Sequence, residues 1–207
     1  SAFLSHYLGW KLVGYYNMKV GSNSLVLLDS SSYQNHGVLQ NMDTTNYYSN
    51  SNFSLVTDAE IYNYYDFDGV SDYINCGNDS VLNFDTTDKF SISFWMNPDS
   101  IANVSILGKF LNSSITGYDM WFDSSNTTVK IHMYSGASNG LQVGAESNKI
   151  SIGTWTHIVW TYNGTHTQSG VNLYTDTYKN TTTLLSTGID LKIDESIKST
   201  ANFLIGN

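Results

Sequence analysis

The side chains of this 207-residue chain that could do chemistry are three glutamates, five histidines, one cysteine and a scatter of aspartates. Hydrolysis of a glycosidic bond needs two carboxyl groups about 5–10 Å apart. Glu60, Glu146 and Glu195 have no such neighbourhood. Asp194 and Glu195 are adjacent, so on a strand they point to opposite faces and read better as a solvated turn. His6, His36, His132, His157 and His166 lack the spacing of a metal site. The one Gly-x-Ser-x-Gly pentad, Gly136-Ala137-Ser138-Asn139-Gly140, falls in a run that reads as a turn between strands, without the following helix of a nucleophile elbow, and no phosphate-cradling glycine loop occurs. The chain therefore reads as a non-enzyme. Cys76 is the single cysteine, so no intrachain disulfide can form, and the alternation in Tyr73-Ile74-Asn75-Cys76-Gly77 makes it a core thiol.

Cation binding is the more reasonable chemistry. Hard divalent ions want carboxylate and carbonyl oxygens presented by a tight turn. The segment Asp29-Ser30-Ser31-Ser32-Tyr33-Gln34-Asn35-His36-Gly37 offers a carboxylate at Asp29, an amide oxygen at Asn35 and backbone carbonyls up to Gly37. These residues form a candidate site for a structural Ca²⁺. The same segment supports a second reading, in which Asp29 and Ser31 bond to the backbone and shape the turn. Asn-x-Ser/Thr triplets occur at Asn52, Asn78, Asn103, Asn112, Asn126, Asn163 and Asn180, mostly in turns or at strand ends. Such triplets arise readily by chance in so Asn-, Ser- and Thr-rich a chain, and they suit glycan attachment if it passes a glycosylating compartment.

Charge narrows the partners. Nine Lys+Arg, all of them lysine, stand against 18 Asp+Glu, for a net charge of -9 and a pI near 4.7. That balance repels phosphate backbones and anionic membranes, so no nucleic acid is expected. No apolar run approaches the roughly 18 residues of a membrane helix, so no membrane insertion is expected either. The chain opens on Ser1 without an initiator Met and reads as soluble and already processed.

The elements that must position these groups are strands, because the hydrophobic period is two almost everywhere. Phe90 to Met96 puts Phe90, Ile92, Phe94 and Met96 on one face and Ser91, Ser93 and Trp95 on the other. Trp155 to Tyr162 alternates in the same way. Further strands are expected at Leu12 to Met18, Leu25 to Leu28, Asp66 to Phe67, Tyr73 to Cys76, Val104 to Phe110, Tyr118 to Phe122, Val129 to Tyr134, Val171 to Tyr174 and Phe203 to Ile205. Asp123 to Asn126, Ser135 to Gly140 and Asn163 to Thr165 read as turns. Asn41 to Tyr65 reads as a long surface connection with one or two short strands. Short strands with regular turns argue for a sandwich or jelly roll.

Five fragments in order resemble the laminin G-like branch of the concanavalin A-like lectin/glucanase fold. They are Leu12 to Met18, the Asp29 to Gly37 turn, Phe67-Asp68-Gly69-Val70-Ser71-Asp72-Tyr73-Ile74, Phe90 to Pro98, and Gly153-Thr154-Trp155-Thr156-His157-Ile158 with Thr161-Tyr162-Asn163-Gly164. The resemblance implies an all-β, two-sheet antiparallel jelly-roll sandwich over residues 11–207, preceded by an N-terminal extension, residues 1–10. It also implies a structural Ca²⁺ near the Asp29 turn. The enzymatic branch carries a Glu-x-Asp-x-Glu-like strand that this chain lacks. Relatives continue beyond a Phe-x-Ile-Gly strand with a closing strand. None follows Phe203-Leu204-Ile205-Gly206-Asn207, so an open sheet edge is expected along Leu12 to Met18. Either the sequence is a fragment of a longer polypeptide, the preferred reading, or the edge is completed by residues 1–10 or by other subunits of a surface assembly. Trp95 and Trp155, each in a motif strand, are expected to be largely buried. Asp29 is expected to matter more to stability than Asp123, which sits in a hairpin expected to be exposed.

Fold does not fix function. One reading is a recognition or adhesion module, extracellular or on a cell or virion surface, that binds a glycan or surface receptor through Tyr-, Asn- and Asp-rich rim loops. The alternative is a structural subunit or spacer of a virion, fibre or cell-surface coat.

Overall fold

The structure, a computed structural model, describes residues 11–20, 25–43, 47–49, 63–100, 102–125, 128–145, 150–176, 178–179, 183–184 and 195–206. Its strands in chain order are β1 (Tyr16–Val20), β2 (Val26–Asp29), β3 (Gly37–Gln40), β4 (Tyr47–Ser49), β5 (Asn63–Tyr65), β6 (Tyr73–Asn75), β7 (Phe90–Met96), β8 (Val104–Leu111), β9 (Thr116–Asp123), β10 (Thr128–Gly136), β11 (Asn139–Gly144), β12 (Thr156–Tyr162), β13 (Val171–Thr175), β14 (Tyr178–Lys179), β15 (Thr183–Leu184) and β16 (Leu204–Ile205). Among the described residues there are two 3₁₀ turns and no α-helix. The fold is all-β, built of antiparallel sheets as in a jelly-roll sandwich.

The chain divides into two compact units. In the first, Ser1–Leu82 with Asn202–Asn207, strands β1-β2-β3-β6-β16 lie side by side, and β4 pairs with β5 separately. Leu27 and Ile74 are fully buried, with Leu39 and Cys76 beside them in the core. Gly37 opens β3 where a Cβ would lie 2.4 Å from Ile74 Cγ2, so close packing demands glycine there. β1 is displaced from the expected Leu12 to Met18 and pairs with β2 across a register shift, with Met18 at φ 55°. It lies at one end of the strand order.

The second unit, Asn83–Ala201, is a sandwich in itself. One sheet runs β8-β9-β10-β11-β15 and the other β14-β13-β12-β7. Their inner faces meet through aromatic rings: Tyr118 of β9 lies 5.6 Å from Phe90 of β7 and 6.1 Å from Trp160 of β12, between centroids. Met120, Val129, Ile131, Met133, Leu141, Ile158 and Leu173 fill the rest of this layer at 0% exposure. Each such side chain contributes about 1.5–3 kcal/mol of burial. Lys109 of β8 points into the same core, and its Nζ donates to the Ala201 carbonyl. The segment that ends at Ala201 is also held by Ile197 N–H to Asp85 Oδ1 and Ser199 N–H to Asn83 Oδ1.

Several expectations fail for definable reasons. Trp95 is 45% exposed. The alternation that turns Ile92 and Phe94 inward turns it outward with Ser91 and Ser93, where it stacks on His157 at 4.9 Å. Trp155 is half-buried. Asp123 is not in an exposed hairpin: its carboxylate is 2% exposed, ion-paired with Lys130 at 2.8 Å, and accepts the Ser125 N–H. Asp66 and Phe67 form no strand, and Asn63–Tyr65 pairs with β4 instead. Asn139 and Gly140, read as turn, open β11. Residues 1–10 lie outside the described residues.

Candidate functional site

The Asp29 turn is built around one carboxylate. Asp29 Oδ1 accepts the N–H groups of Tyr15 and Ser31, each at 2.8 Å, while Oδ2 accepts the Ser31 hydroxyl at 2.7 Å and the Asn35 N–H at 2.8 Å. A carboxylate has about four acceptor positions, and these donors use all of them. Burial pushes the Asp29 carboxyl pKa up, but the donors from Tyr15, Ser31 and Asn35 outweigh it and hold the pKa below the ordinary value. Asn35 meanwhile accepts the Tyr16 hydroxyl on its carbonyl, and Gly37 belongs to β3, paired with Leu27. The donor set does not fit a calcium ion. An ion at Asp29 would have to displace backbone N–H groups that are themselves buried or half-buried.

The other arrangement lies on the outer face of β8 to β11, the side turned away from Phe90 and Trp160. The register sets Gly108, Asp119, His132 and Gln142 in one row across four strands. Strand alternation brings Trp121 and Lys130 to the row on one side, and Phe110, Gly117, Tyr134 and Gly140 to the row on the other. His132 Nδ1 lies 3.0 Å from Asp119 Oδ1, and His132 Nε2 lies 2.7 Å from the Gln142 amide nitrogen. The first contact is close but is not aligned as a hydrogen bond. Asp119 Oδ1 is buried and accepts no hydrogen bond among the described residues. Burial and the nearby Asp119 carboxylate push the Tyr134 hydroxyl pKa up.

Four rings follow one another along this face. Centroid steps are 6.1 Å from Trp121 to His132, 6.0 Å from His132 to Tyr134 and 6.2 Å from Tyr134 to Phe110. Trp121 and His132 are tilted by only 34° and present neighbouring ring faces, whereas Tyr134 and Phe110 meet edge to face. Glycines make room between them. A Cβ at Gly140 would enter the Tyr134 ring at 2.2 Å, and one at Gly108 would meet Asp119 Cβ at 2.5 Å.

Residues 68–207 match the family model Laminin_G_3, described as the concanavalin A-like lectin/glucanases superfamily. The chain belongs to this superfamily. No curated protein matches it. At superfamily level it is a lectin-like or adhesion-type module. The match begins at Asp68, so the Asp29 turn lies outside it, and β7 to β16 lie within it.

The superfamily motifs inside the match act mainly as scaffold. In Phe67-Asp68-Gly69, Asp68 Oδ1 accepts the N–H groups of Val70, Ser71 and Asp72 within 3.0 Å. The N–H groups of Ser71, Val70 and Asp72 pull its carboxyl down to about 2. His157 is a strand residue bonded to Ser93 Oγ at 2.8 Å. Cys76 is 3% exposed, and burial pushes its thiol up to about 11. Glu195 accepts the Ser135 hydroxyl at 2.8 Å, while Glu60, Glu146 and Asp194 lie outside the described residues. Asn78, Asn103, Asn112 and Asn163 are exposed, and Asn52, Asn126 and Asn180 lie outside the described residues. No helix among the described residues is long and apolar enough to cross a membrane.

Sequence reading missed the row Asp119, His132, Gln142. The signal was present in β9 and β10, where the outward positions of strands buried on their inner face hold Asp119, Trp121, His132 and Tyr134 rather than Ser and Thr.

Proposed function

We propose that the chain is a non-catalytic glycan-recognition module, working outside the cell or on a particle surface, that holds a saccharide on the outer face of β8 to β11. The observation that carries this reading is Asp119 Oδ1, a buried acceptor with no hydrogen-bond donor among the described residues, set between the Trp121 and Tyr134 rows. A sugar hydroxyl supplies the missing donor once the His132 ring, 3.0 Å from this oxygen, turns aside. Gln142 and His132 offer further polar contacts, and the C–H groups of a pyranose carry slight positive charge that suits the negative face of an aromatic ring. Asp119, and Asp123 already paired with Lys130, give the face no surplus positive charge, which favours neutral sugars over uronic or sialic acids.

The same strand argues against hydrolysis. Asp119 and Asp123 share a face but stand four residues apart, about 13 Å along a strand, beyond the spacing of either glycosidase geometry. The exposed sequons support an extracellular setting. A glycan array read with and without a calcium chelator tests the proposal. Neutral glycans are expected to bind equally in both conditions, Trp121→Ala to lose the signal, and β-glucans incubated with the protein to yield no new reducing ends. Absence of any glycan signal, or full binding by Trp121→Ala, would overturn it.

A further inference from the structure

The His132 ring lies between two partners, and its protonation decides what each can do with it. On one side Nδ1 is 3.0 Å from Asp119 Oδ1, and on the other Nε2 is 2.7 Å from the Gln142 amide nitrogen. An amide N–H donates to Nε2 only while that nitrogen carries no proton, so the second contact belongs to the neutral ring with its proton on Nδ1. The pair is secluded: the His132 and Asp119 side chains are 16% and 7% exposed. The other charged or titratable groups around the ring, among the described residues, are already engaged. Lys130, two positions along β10, is ion-paired with Asp123 at 2.8 Å. Tyr134, two positions the other way, has its hydroxyl pKa pushed up by burial and by Asp119. β8 brings only Gly108 and Phe110 to these rows, and neither titrates. Glu195 accepts the hydroxyl of Ser135, a position of inward parity.

We propose that His132 is a pH-operated gate on Asp119, so that acidification releases a neutral glycan held on this face. The inference rests on the reading of the face as a glycan site. While the ring is neutral, a sugar hydroxyl that reaches Asp119 Oδ1 pushes aside a neighbour that makes no aligned hydrogen bond with it. A second proton, on Nε2, would set N–H against the N–H of Gln142, so the Gln142 amide turns and offers its carbonyl oxygen instead. The imidazolium is then held at both nitrogens, by the Asp119 carboxylate on Nδ1 and by the Gln142 carbonyl on Nε2. Bonds of this charge-assisted kind are about twice as strong as neutral ones, and seclusion from water strengthens them further. The ring that the sugar must turn aside is now clamped over the acceptor the sugar needs. Histidine side chains change charge between about pH 8 and pH 5. Binding is therefore full while the ring is neutral and falls as pH drops through its titration. By linkage the sugar favours the neutral ring, so binding in that range releases a proton to solvent. A neutral sugar does not titrate itself, which leaves the protein as the source of the effect.

Two readouts test the gate, one with sugar and one without. An array of neutral glycans, titrated with the protein, is expected to bind about tenfold more weakly at about pH 5 than at about pH 8. His132→Gln keeps a polar side chain at this position but gains no proton in that range, and its profile is expected to be flat whatever its affinity. In the wild type without sugar, followed by NMR, the side-chain amide signals of Gln142 are expected to move with the same midpoint as the His132 ring. A histidine that served only as packing would not turn that amide. Wild-type affinity that does not change with pH, a pH dependence kept by His132→Gln, or a Gln142 amide indifferent to the His132 titration would overturn the gate and leave the glycan reading standing. Binding of no neutral glycan at any pH would overturn both.

Discussion

Asp29 and Asp119 are both buried carboxylates, at 3% and 5% exposure, and their surroundings use them in opposite ways. Three donors from its own turn, and the Tyr15 N–H from the segment before β1, converge on Asp29. Asp119 has the His132 ring nitrogen Nδ1 at 3.0 Å and an oxygen that accepts no hydrogen bond among the described residues. Acidity and burial alone therefore do not mark a binding residue. What distinguishes the two is whether the local backbone has already filled the acceptor. A loop folds around its carboxylate and consumes it, whereas a sheet fixes its side chains on a flat face and leaves their outer atoms to whatever arrives.

Stability should separate the two most widely. Asp29→Ala leaves four donors without their acceptor and is expected to cost about 3 kcal/mol, measured by denaturant unfolding, with glycan affinity unchanged. Asp119→Asn should do the reverse. It should weaken glycan binding about tenfold in a titration while shifting Tm little, and equal effects of the two substitutions on binding would erase the contrast.

Acid should act on the turn next. The folded pKa of Asp29 lies below its ordinary value of 3.8, so its stabilisation is complete above 3.8 and is lost as pH falls through the lowered folded value. Melting curves taken down that acid limb should be steeper for the wild type than for Asp29→Asn. The smallest effect is expected from calcium. Since the acceptors of Asp29 are filled, millimolar Ca²⁺ should leave Tm where a chelator leaves it, and a clear rise would return the turn to ion binding.

Much of the fold was legible because alternation survives wherever one strand face is buried: β7 was read to the residue, and β8, β9, β10, β12 and β13 nearly so. β3 and β11 were missed because they contain glycines required by neighbours rather than by turns: Ile74 against Gly37, and the Tyr134 ring against Gly140. Trp95 was misplaced by giving its motif more weight than its parity with Ser91 and Ser93. The Asp29 turn was legible as a turn, since Asp, Ser and Asn announce their backbone bonds locally. The outer face was not, because Asp119, His132 and Gln142 meet only through register between strands, and single-strand patterns carry no register.

The buried ammonium of Lys109 has a consequence for synthesis. Its acceptor, the Ala201 carbonyl, belongs to a residue made 92 positions later, and the bonds to Asp85 and Asn83 close over 112 and 116 positions. A ribosome that has finished β7 to β13 has therefore not yet supplied the strap that holds Lys109, Asp85 and Asn83. Contacts this distant in sequence slow folding. The second unit is expected to complete its native contacts only after Ala201 has emerged from the exit tunnel.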